Sequence, residues 1–321
     1  MLQKRPASDG DLYALVEDFF RNSFSTGNAL ITEAVRRMLA AGGKRLRPRF
    51  TLLAAEAMGA RAADHLPLAA YMELIHVATL IHDDVVDGAD TRRGVNATAV
   101  DFGNRISVLA GDYLFAWIFK NVTAGYPHPV PNILSSTLAD ITDGEVLQLR
   151  ALGDTDMRLS AYIDVATKKT GRLFAASCEC GAIMGGGKAI AVQAVHDFGM
   201  YYGIAFQMQD DLLDMTGDEA LIGKPVGNDL REKKMTVPVI LALDGADREF
   251  RSDVERFYAE DDETRERLSG IVRGIGNHGG FAKTQVAIAE YLERAKMSLA
   301  PLGNVPARAE FVAIADALLK S

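Results

Sequence analysis

Cysteines, aromatic residues and long apolar runs are all scarce in this 321-residue sequence. The only cysteines, Cys178 and Cys180, lie two positions apart on a predicted helix, so their side chains diverge and neither a disulfide nor a zinc site is expected. No apolar run approaches the roughly 18 residues that span a bilayer, so we expect no transmembrane segment. The segment from Met1 to Pro6 lacks the apolar stretch of a secretory signal, which favours a cytoplasmic protein with reduced thiols.

An excess of basic residues is also missing, since the formal net charge is −8 at pH 7. General nucleic-acid binding is therefore not expected. The alternation of apolar and polar residues that marks half-buried strands is rare, whereas apolar residues recur at helical spacing almost throughout. With 48% hydrophobic residues, this pattern predicts an all-α protein with a sizeable core.

The helical pattern is interrupted by glycine and proline at regular intervals. The predicted helices are residues 11–25, 29–41, 48–59, 63–89, 103–121, 131–149, 158–185, 189–216, 235–245, 249–258, 262–274, 281–298 and 306–319. No low-complexity linker or shift in charge divides the chain. A single helical domain of residues 1–321 is the simplest account.

One acidic pattern occurs twice. Residues 82–87 read His-Asp-Asp-Val-Val-Asp and residues 209–214 read Gln-Asp-Asp-Leu-Leu-Asp, so each copy carries carboxylates at i, i+1 and i+4. On a helix these lie on one side, within about one turn. Such crowded like charges repel, and carboxylate oxygens suit Mg²⁺, which completes its shell with water and phosphate oxygens. The two triplets, Asp83, Asp84, Asp87 and Asp210, Asp211, Asp214, therefore predict a diphosphate held through Mg²⁺.

A solvated helix surface is the alternative interpretation of each triplet. However, residues 74–81 and residues 201–206, which precede the two motifs, are nearly all apolar. An acidic turn that continues a buried helix faces a cavity more readily than bulk water. The presence of two such motifs favours a functional role.

Basic residues accompany the acidic motifs. Residues 42–48, Gly-Gly-Lys-Arg-Leu-Arg-Pro, place three cations in a glycine-led turn before a helix, where backbone amides and guanidinium groups can bind phosphate. A solvated turn is again the alternative. Further cations are Arg92, Arg93, Lys168, Lys169, Lys224, Lys233 and Lys234. His76 lies two turns before Asp83 and either donates a hydrogen bond to a phosphate or is a packed core histidine.

Ten short segments occur in a set order between Gly42 and Pro238. They are residues 42–48, Glu-Leu-Ile-His at 73–76, residues 82–87, Arg-Arg-Gly at 92–94, Gly-Asp at 111–112, Gly-Glu-Val-Leu-Gln at 144–148, Lys-Thr at 169–170, Phe-Gln-Met followed by the second motif at 206–214, Gly-Lys-Pro-Val-Gly-Asn-Asp at 223–229, and Lys234 with Thr-Val-Pro at 236–238. Together they resemble the trans-prenyltransferases, the head-to-tail polyprenyl diphosphate synthases.

This resemblance implies a single large helical bundle of the isoprenoid synthase type around a central cavity, and a homodimer. It also implies that isopentenyl diphosphate condenses with an allylic diphosphate, with Mg²⁺ held by both aspartate triplets. The allylic diphosphate would contact Arg92, Lys169, Lys224 and Lys234. Isopentenyl diphosphate would bind Gly43, Lys44, Arg47, His76 and Arg93. Thr170 and Gln207 would lie near the reacting carbon.

Product length depends, in this family, on the residues below the first aspartates. Ala78 and Thr79 lie five and four positions before Asp83, about one turn deeper. Bulky aromatics there tend to block the tunnel in enzymes with short products, so these small residues imply a product of C30 or longer, of the type used for quinone side chains and delivered to the membrane. The alternative floor is the helix that carries Tyr113, Phe115, Trp117 and Phe119.

Several alternatives stay open. A farnesyl or geranylgeranyl diphosphate synthase would share the motifs. His82 with Asp83 is also the doublet of helical HD-type metal-dependent phosphohydrolases, but that class does not explain the second triplet or the basic turn. A terpene cyclase usually mixes Asn, Ser and Glu in its second motif. A catalytic subunit that needs a different partner chain is a further alternative.

Overall fold

The computed structural model describes residues 9–24, 26–92, 94–217, 227–260 and 264–320, apart from the side chains of residues 9–13 and 265. Contacts within the chain divide it into two units. The first comprises Met1–Ser135, Ala176–His196 and Pro301–Arg308, and the second comprises Ser136–Ala175, Asp197–Ala300 and Ala309–Ser321.

Among the described residues, six helices and one small hairpin lie entirely within the first unit. The helices are α1 (Asp9–Ser23), α2 (Ala29–Ala40), α3 (Leu46–Ala57), α4 (Leu66–Val86), α5 (Thr98–Phe102) and α6 (Asn104–Gly125). A 3-10 turn, Ala62–His65, precedes α4. After α4, strand β1 (Thr91–Arg92) pairs antiparallel with β2 (Val95–Asn96).

Four helices have residues in both units: α7 (Val130–Arg150), α9 (Arg172–Met184), α10 (Ala189–Thr216) and α16 (Pro306–Leu318). The second unit also contains α8 (Leu159–Ala166), α11 (Asn228–Arg231), α12 (Val237–Leu243), α13 (Arg248–Ala259), α14 (Arg265–Asn277) and α15 (Gly280–Ser298). A π-helical turn (Thr167–Gly171) lies between α8 and α9, and a 3-10 turn (Ala300–Leu302) precedes α16. Across the described ranges, no helix combines the length and the apolar character that crossing a bilayer requires.

The all-α class is confirmed, because the described residues contain no sheet besides the two-residue hairpin. Most predicted helices agree with the observed ones to within a few residues at their ends, the short helices α5 and α11 were not predicted, and two predicted helices differ further. The helix predicted at 63–89 starts with the 3-10 turn and ends at Val86, and the helix predicted at 158–185 is interrupted by the π-helical turn. The hairpin was not predicted, because two-residue strands are too short to show an alternating pattern. The single-domain organisation stays a prediction.

Helix α4 is the buried element of the first unit. Pro67 opens it at a position where a backbone N–H is not needed, and most of its residues are buried, because apolar side chains lie on nearly all its sides. It packs against α3 and α6. The first aspartate motif occupies its last turn and is therefore held by a helix that cannot shift without disturbing the core.

Arg45 anchors the basic turn to this helix. Its backbone is left-handed, with φ of 47°, and the residue as a whole is 4% exposed. Its Nη1 donates to Glu73 Oε1 on α4 at 2.7 Å, and its Nη2 donates to the carbonyl of Leu39 at 2.7 Å. The ion pair is buried, with both side chains 3% exposed. Arg45 is therefore the structural cation of residues 42–48.

Replacing Arg45 by alanine should strongly destabilise the protein. The substitution leaves Glu73 as a buried charge without its cation, which costs about 3–5 kcal/mol. The exposed Arg36→Ala on α2 is the matched control and should change stability by less than about 0.5 kcal/mol. Guanidinium unfolding followed by circular dichroism measures both. A loss below about 1 kcal/mol for Arg45→Ala would show that the ion pair does not anchor the turn.

Candidate active site

The first acidic motif contains one buried and two half-buried carboxylates. Asp84 is fully buried, whereas Asp83 and Asp87 are partly exposed. Asp87 ends α4 in helical conformation, and its N–H donates to the carbonyl of Asp83 at 2.8 Å, so the two carboxylates keep the one-turn spacing. Asp83 and Asp87 are thus the members of this triplet that solvent or a ligand can reach.

Arg92, on strand β1, pairs with the buried member of the triplet. Its Nε and Nη2 lie 2.7 and 2.5 Å from Asp84 Oδ1. Burial lowers the pKa of Arg92, but the charge of Asp84, their hydrogen bond and the charges of Asp83 and Asp87 outweigh it and raise the pKa. Two glycines with positive φ, Gly88 and Gly94, make the tight turns that return Arg92 to the end of α4.

His82 contacts α6. Its Nε2 lies 3.0 Å from the carbonyl oxygen of Val108 and 3.5 Å from Asp112 Oδ1. The ring fits because Gly111 has no side chain: a Cβ there would lie 2.2 Å from Nε2. Both contacts fasten the acidic end of α4 to α6. This geometry gives His82 a packing role and does not favour the His-Asp doublet of a phosphohydrolase.

The residues predicted to bind isopentenyl diphosphate differ in exposure. Gly43 and Lys44 are exposed, His76 is half-buried on α4, and Arg47 is 9% exposed in the first turn of α3. Gly42 and Gly43 have φ of 85° and 139°, which side-chain-bearing residues rarely adopt. Arg93 and Lys224 lie outside the described residues. Their predicted roles stay predictions.

The second acidic motif lies in the last turns of α10 and, like the first, contains both buried and accessible carboxylates. Asp210 is exposed, whereas Asp211 and Asp214 are each 3% exposed. Asp214 Oδ2 accepts a hydrogen bond from the backbone N–H of Asp229 at 3.1 Å, and its own carbonyl accepts from Gly227 at 2.7 Å. Asp214 therefore ties the start of α11 to α10.

Asp211 is held by three donors. Tyr162 O–H on α8 donates to Oδ2 at 2.7 Å, Gln207 Nε2 donates to Oδ1 at 2.9 Å, and the N–H of Val237 reaches Oδ2 at 3.4 Å. Burial raises the pKa of Asp211, while the hydrogen bonds from Tyr162 and Gln207 act in the opposite direction. Burial also raises the pKa of Tyr162, and the neighbouring Asp211 adds to this effect.

The π-helical turn between α8 and α9 presents Lys169 and Thr170. Lys169 Nζ lies 2.5 Å from Glu145 Oε2 and donates to Gln148 Oε1 at 2.6 Å, both on α7. Thr170 Oγ1 donates to Gln207 Oε1 at 2.7 Å. A π-helical turn widens the helix by one residue and frequently marks functional sites. Here it turns adjacent side chains towards α7 and α10.

Lys234 lies three residues after the end of α11. Its Nζ pairs with Glu232 Oε2 at 2.5 Å, and its backbone N–H donates to the carbonyl of Asp229 at 2.9 Å. The hydroxyl of Tyr258 donates to the Lys234 carbonyl at 3.1 Å. The Lys234 segment is therefore fixed by α13 and by the loop that Asp214 holds.

Both acidic motifs have the donor chemistry of an Mg²⁺ site. Carboxylate oxygens are hard ligands, and those of the exposed or half-buried Asp83, Asp87 and Asp210 can be reached from solvent. Among the described residues, no three His, Cys, Asp or Glu side chains converge on one point. An ion here would draw part of its shell from water and diphosphate, which is how Mg²⁺ is usually bound.

Glycines bring the π-helical turn and α10 together. A Cβ at Gly203 would lie 2.7 Å from the Cα of Gly171 in the π-helical turn, and a Cβ at Gly199 would lie 2.6 Å from the carbonyl oxygen of Phe174 in α9, which continues from that turn. The backbones of the two elements are therefore in direct contact. This close approach allows the hydrogen bond from Thr170 to Gln207.

Gly203→Ala should push α10 away from the π-helical turn. Such overpacking costs about 1–3 kcal/mol. The variant should also lose activity, because the contact between Thr170 and Gln207 stretches. Gly270→Ala on α14 is the matched control, since a Cβ there meets no atom within 4 Å, and it should be neutral or slightly stabilising. Thermal unfolding measures both. Equal midpoints for the two variants would contradict a tight crossing.

Sequence reasoning missed Tyr162 and the structural role of Arg45. Tyr162 is separated from Asp211 by 49 positions, so no local spacing connects them. An arginine flanked by two other cations, as Arg45 is, carries no local signal of burial either. Its pairing with Glu73 spans 28 positions.

Known proteins resemble this chain over most of its length. The polyprenyl synthetase family model matches residues 28–275. Octaprenyl diphosphate synthase from Escherichia coli is 36% identical over 286 residues, which cover 89% of this chain and 88% of that protein. Geranylgeranyl diphosphate synthase from Methanosarcina mazei is 35% identical over 292 residues, which cover 89% of this chain and 88% of that protein.

A solved structure gives the same result for the fold. The crystal structure of a decaprenyl diphosphate synthase from Rhodobacter capsulatus has a TM-score of 0.90 and 39% sequence identity, and the match covers 97% of this chain and 96% of that one. The helices described above therefore form the all-α polyprenyl synthase fold. The chain belongs to the polyprenyl synthetase family and is a prenyltransferase.

Proposed function

We propose that this enzyme condenses isopentenyl diphosphate head-to-tail with an allylic diphosphate and releases a trans long-chain polyprenyl diphosphate. The observation that carries the proposal is the repeated motif: two helices that end in an aspartate triplet, each with one or two accessible carboxylates. The allylic diphosphate would lie against these carboxylates through bound Mg²⁺. Its negative oxygens would be matched by Arg92, Lys169, Lys224 and Lys234.

The difficult step is the loss of diphosphate from the allylic carbon. Negative charge develops on the leaving oxygen, and cations placed beforehand stabilise it without reorganisation. When bound, Mg²⁺ supplies Lewis-acid neutralisation of the diphosphate oxygens. Ion pairs and hydrogen bonds hold Lys169 and Lys234 in the structure, which suits this electrostatic role. Isopentenyl diphosphate would be oriented by Gly43, Lys44, Arg47, His76 and Arg93.

The resulting allylic cation needs electron-rich neighbours. Thr170 and Gln207 are the polar side chains assigned to that position. The isopentenyl double bond attacks the cation, a carbon–carbon bond forms, and a proton leaves the new cation. The released diphosphate is the proposed base for this proton.

The proposed product is C30 or longer and supplies quinone side chains. Ala78 is fully buried and Thr79 is half-buried on α4. Both side chains are small, so neither places a bulky aromatic group below Asp83. A short-chain synthase is the second candidate, because the Methanosarcina mazei relative is nearly as similar as the Escherichia coli one. A membrane would receive the long apolar product.

We propose a homodimer that acts in the cytoplasm. The exposed side of α6 carries Val108, Leu109 and Tyr113, which are 39%, 54% and 37% exposed, and such an apolar face fits a second copy of the chain. Sedimentation velocity tests this, and a single species of monomer mass would contradict it. Both cysteine thiols are buried, which fits a reducing compartment, and cell fractionation tests the location.

Purified protein should extend farnesyl diphosphate with radiolabelled isopentenyl diphosphate and Mg²⁺, giving products of C30 or longer after dephosphorylation and chromatography. EDTA should abolish incorporation. Asp83→Asn and Asp210→Asn should lower kcat by about 100-fold or more, because each removes a metal-facing carboxylate. Asp253→Asn, an exposed aspartate on α13, is the control and should retain full activity. Incorporation that persists in EDTA would contradict the proposal.

Thr79→Phe should shorten the product without abolishing condensation. The aromatic ring would fill space one turn below Asp83, so the growing chain would stop earlier. Leu30→Phe, at a 52% exposed position on α2, adds the same bulk elsewhere and should leave the product distribution unchanged. Chromatographic sizing distinguishes the two variants. An unchanged product length for Thr79→Phe would place the floor elsewhere, for instance at Trp117.

A further inference from the structure

A chain of hydrogen bonds connects a buried tyrosine, Tyr162, to Thr170, which is assigned next to the reacting carbon. Tyr162 donates to Asp211, Gln207 donates to Asp211, and Thr170 donates to Gln207, with distances of 2.7, 2.9 and 2.7 Å. All four residues belong to the second unit. We propose that Tyr162 is a positioning residue that acts through Asp211 and Gln207 to fix the direction in which the Thr170 hydroxyl points its proton. The proposal rests on the proposed function.

The direction of the chain follows from its carboxylate. An ionised carboxylate only accepts hydrogen bonds, so the Gln207 side chain must turn its NH₂ group towards Asp211. The carbonyl oxygen of Gln207 then faces Thr170, and the Thr170 hydroxyl must donate to it. The proton of Thr170 is thereby committed to Gln207. The hydroxyl lone pairs are left for an electron-poor carbon.

The direction of the Thr170 O–H bond matters because a hydroxyl can present either its proton or its oxygen lone pairs to a ligand. With its proton committed to Gln207, Thr170 offers the negative end of its dipole to a developing allylic cation. If Gln207 were reversed, its NH₂ would donate to Thr170, and the hydroxyl proton would be free to point at the cation, which would be repelled. Dipoles aimed in advance at a developing charge are an effective source of rate acceleration.

Tyr162 fixes the starting point of this chain. Its side chain is 5% exposed, and its hydroxyl shares Asp211 Oδ2 with the N–H of Val237 at the start of α12. These donors occupy one carboxylate oxygen and leave the other, Oδ1, to Gln207. Without the tyrosine hydroxyl, the Asp211 carboxylate can rotate. The amide of Gln207 then loses its fixed orientation.

The same contacts separate the roles of Asp210 and Asp211. Asp211 is buried and holds three protein donors, whereas its neighbour Asp210 is exposed. Asp211 therefore acts through Gln207, and Asp210 is the member of the pair that faces a metal ion. Although adjacent in sequence, the two aspartates should respond differently when each is changed to asparagine.

Tyr162→Phe keeps the ring and removes only the hydroxyl. We expect kcat to fall by at least about tenfold, while KM for both diphosphates stays within about twofold of the wild type. Tyr291→Phe on α15, a half-buried tyrosine outside this chain of hydrogen bonds, is the matched control and should keep wild-type kinetics. A kcat within about twofold of wild type for Tyr162→Phe would overturn the proposal, as would a loss confined to KM.

A double-mutant cycle tests whether Tyr162 acts through Thr170. Thr170→Val keeps the shape of the side chain and removes its hydroxyl. If the tyrosine acts only through this hydroxyl, Tyr162→Phe added to Thr170→Val should cause no further loss of kcat. Thr170→Ser should retain most of the activity. Multiplicative losses in the double variant would show that Tyr162 has a general structural role, and would overturn the proposal.

Asp211→Asn provides a second route to the same conclusion, even if Tyr162→Phe fails to fold. The asparagine oxygen would face Tyr162 and Val237, and its NH₂ would face Gln207 and force that amide to reverse. We expect kcat to fall by at least about tenfold. Calorimetric binding of Mg²⁺ with inorganic diphosphate should stay within about twofold of wild type and should weaken in Asp210→Asn. Equal weakening in both variants would overturn the proposed separation of roles.

The wild-type assay separates the two levels of inference. A wild-type enzyme that incorporates no isopentenyl diphosphate would overturn the proposed function, and the positioning role with it. An active wild-type enzyme with Tyr162→Phe kinetics close to its own would overturn only the positioning role.

Discussion

A buried carboxylate is stable only when donors or a cation match it, and this requirement organises both acidic motifs. Asp84 is matched by Arg92, Asp211 by Tyr162, Gln207 and the N–H of Val237, and Asp214 by the N–H of Asp229. In each motif at least one of these partners belongs to another segment, which is thereby held at the end of the helix. The buried aspartates therefore hold other segments at the ends of α4 and α10, whereas Asp83, Asp87 and Asp210 stay accessible to solvent.

The helices that carry the motifs, α4 and α10, are closely packed against their neighbours. Helix α4 is buried on nearly all sides, and α10 contacts the π-helical turn through Gly171 and Gly203. Neither can shift by a fraction of an ångström without losing packing or meeting a backbone atom. This rigidity suits electrostatic catalysis, because cations and dipoles that are already oriented need not reorganise when charge develops.

Much of the fold could be predicted from the sequence, since long amphipathic helices show their period and their glycine or proline boundaries directly. The helix at residues 189–216 was predicted with its observed bounds. The hairpin that positions Arg92 and the π-helical turn that positions Lys169 were missed. Their conformations depend on contacts such as the ion pair with Asp84 and the close approach of Gly144 to Lys168 and Lys169, which no local pattern encodes.

The sequence by itself determined the family, the helical class and the types of residue proposed to meet the substrates, because the order of its short motifs is specific and carboxylate and ammonium groups already limit which ligands they can bind. Only the tertiary structure decided which of two neighbouring residues with the same charge is buried and which is exposed. Arg45 is a buried anchor while Lys44 is exposed, and Asp211 is held by three donors while Asp210 is exposed. Neighbours in sequence separate in this way because burial and hydrogen-bond partners are set by segments tens of residues apart.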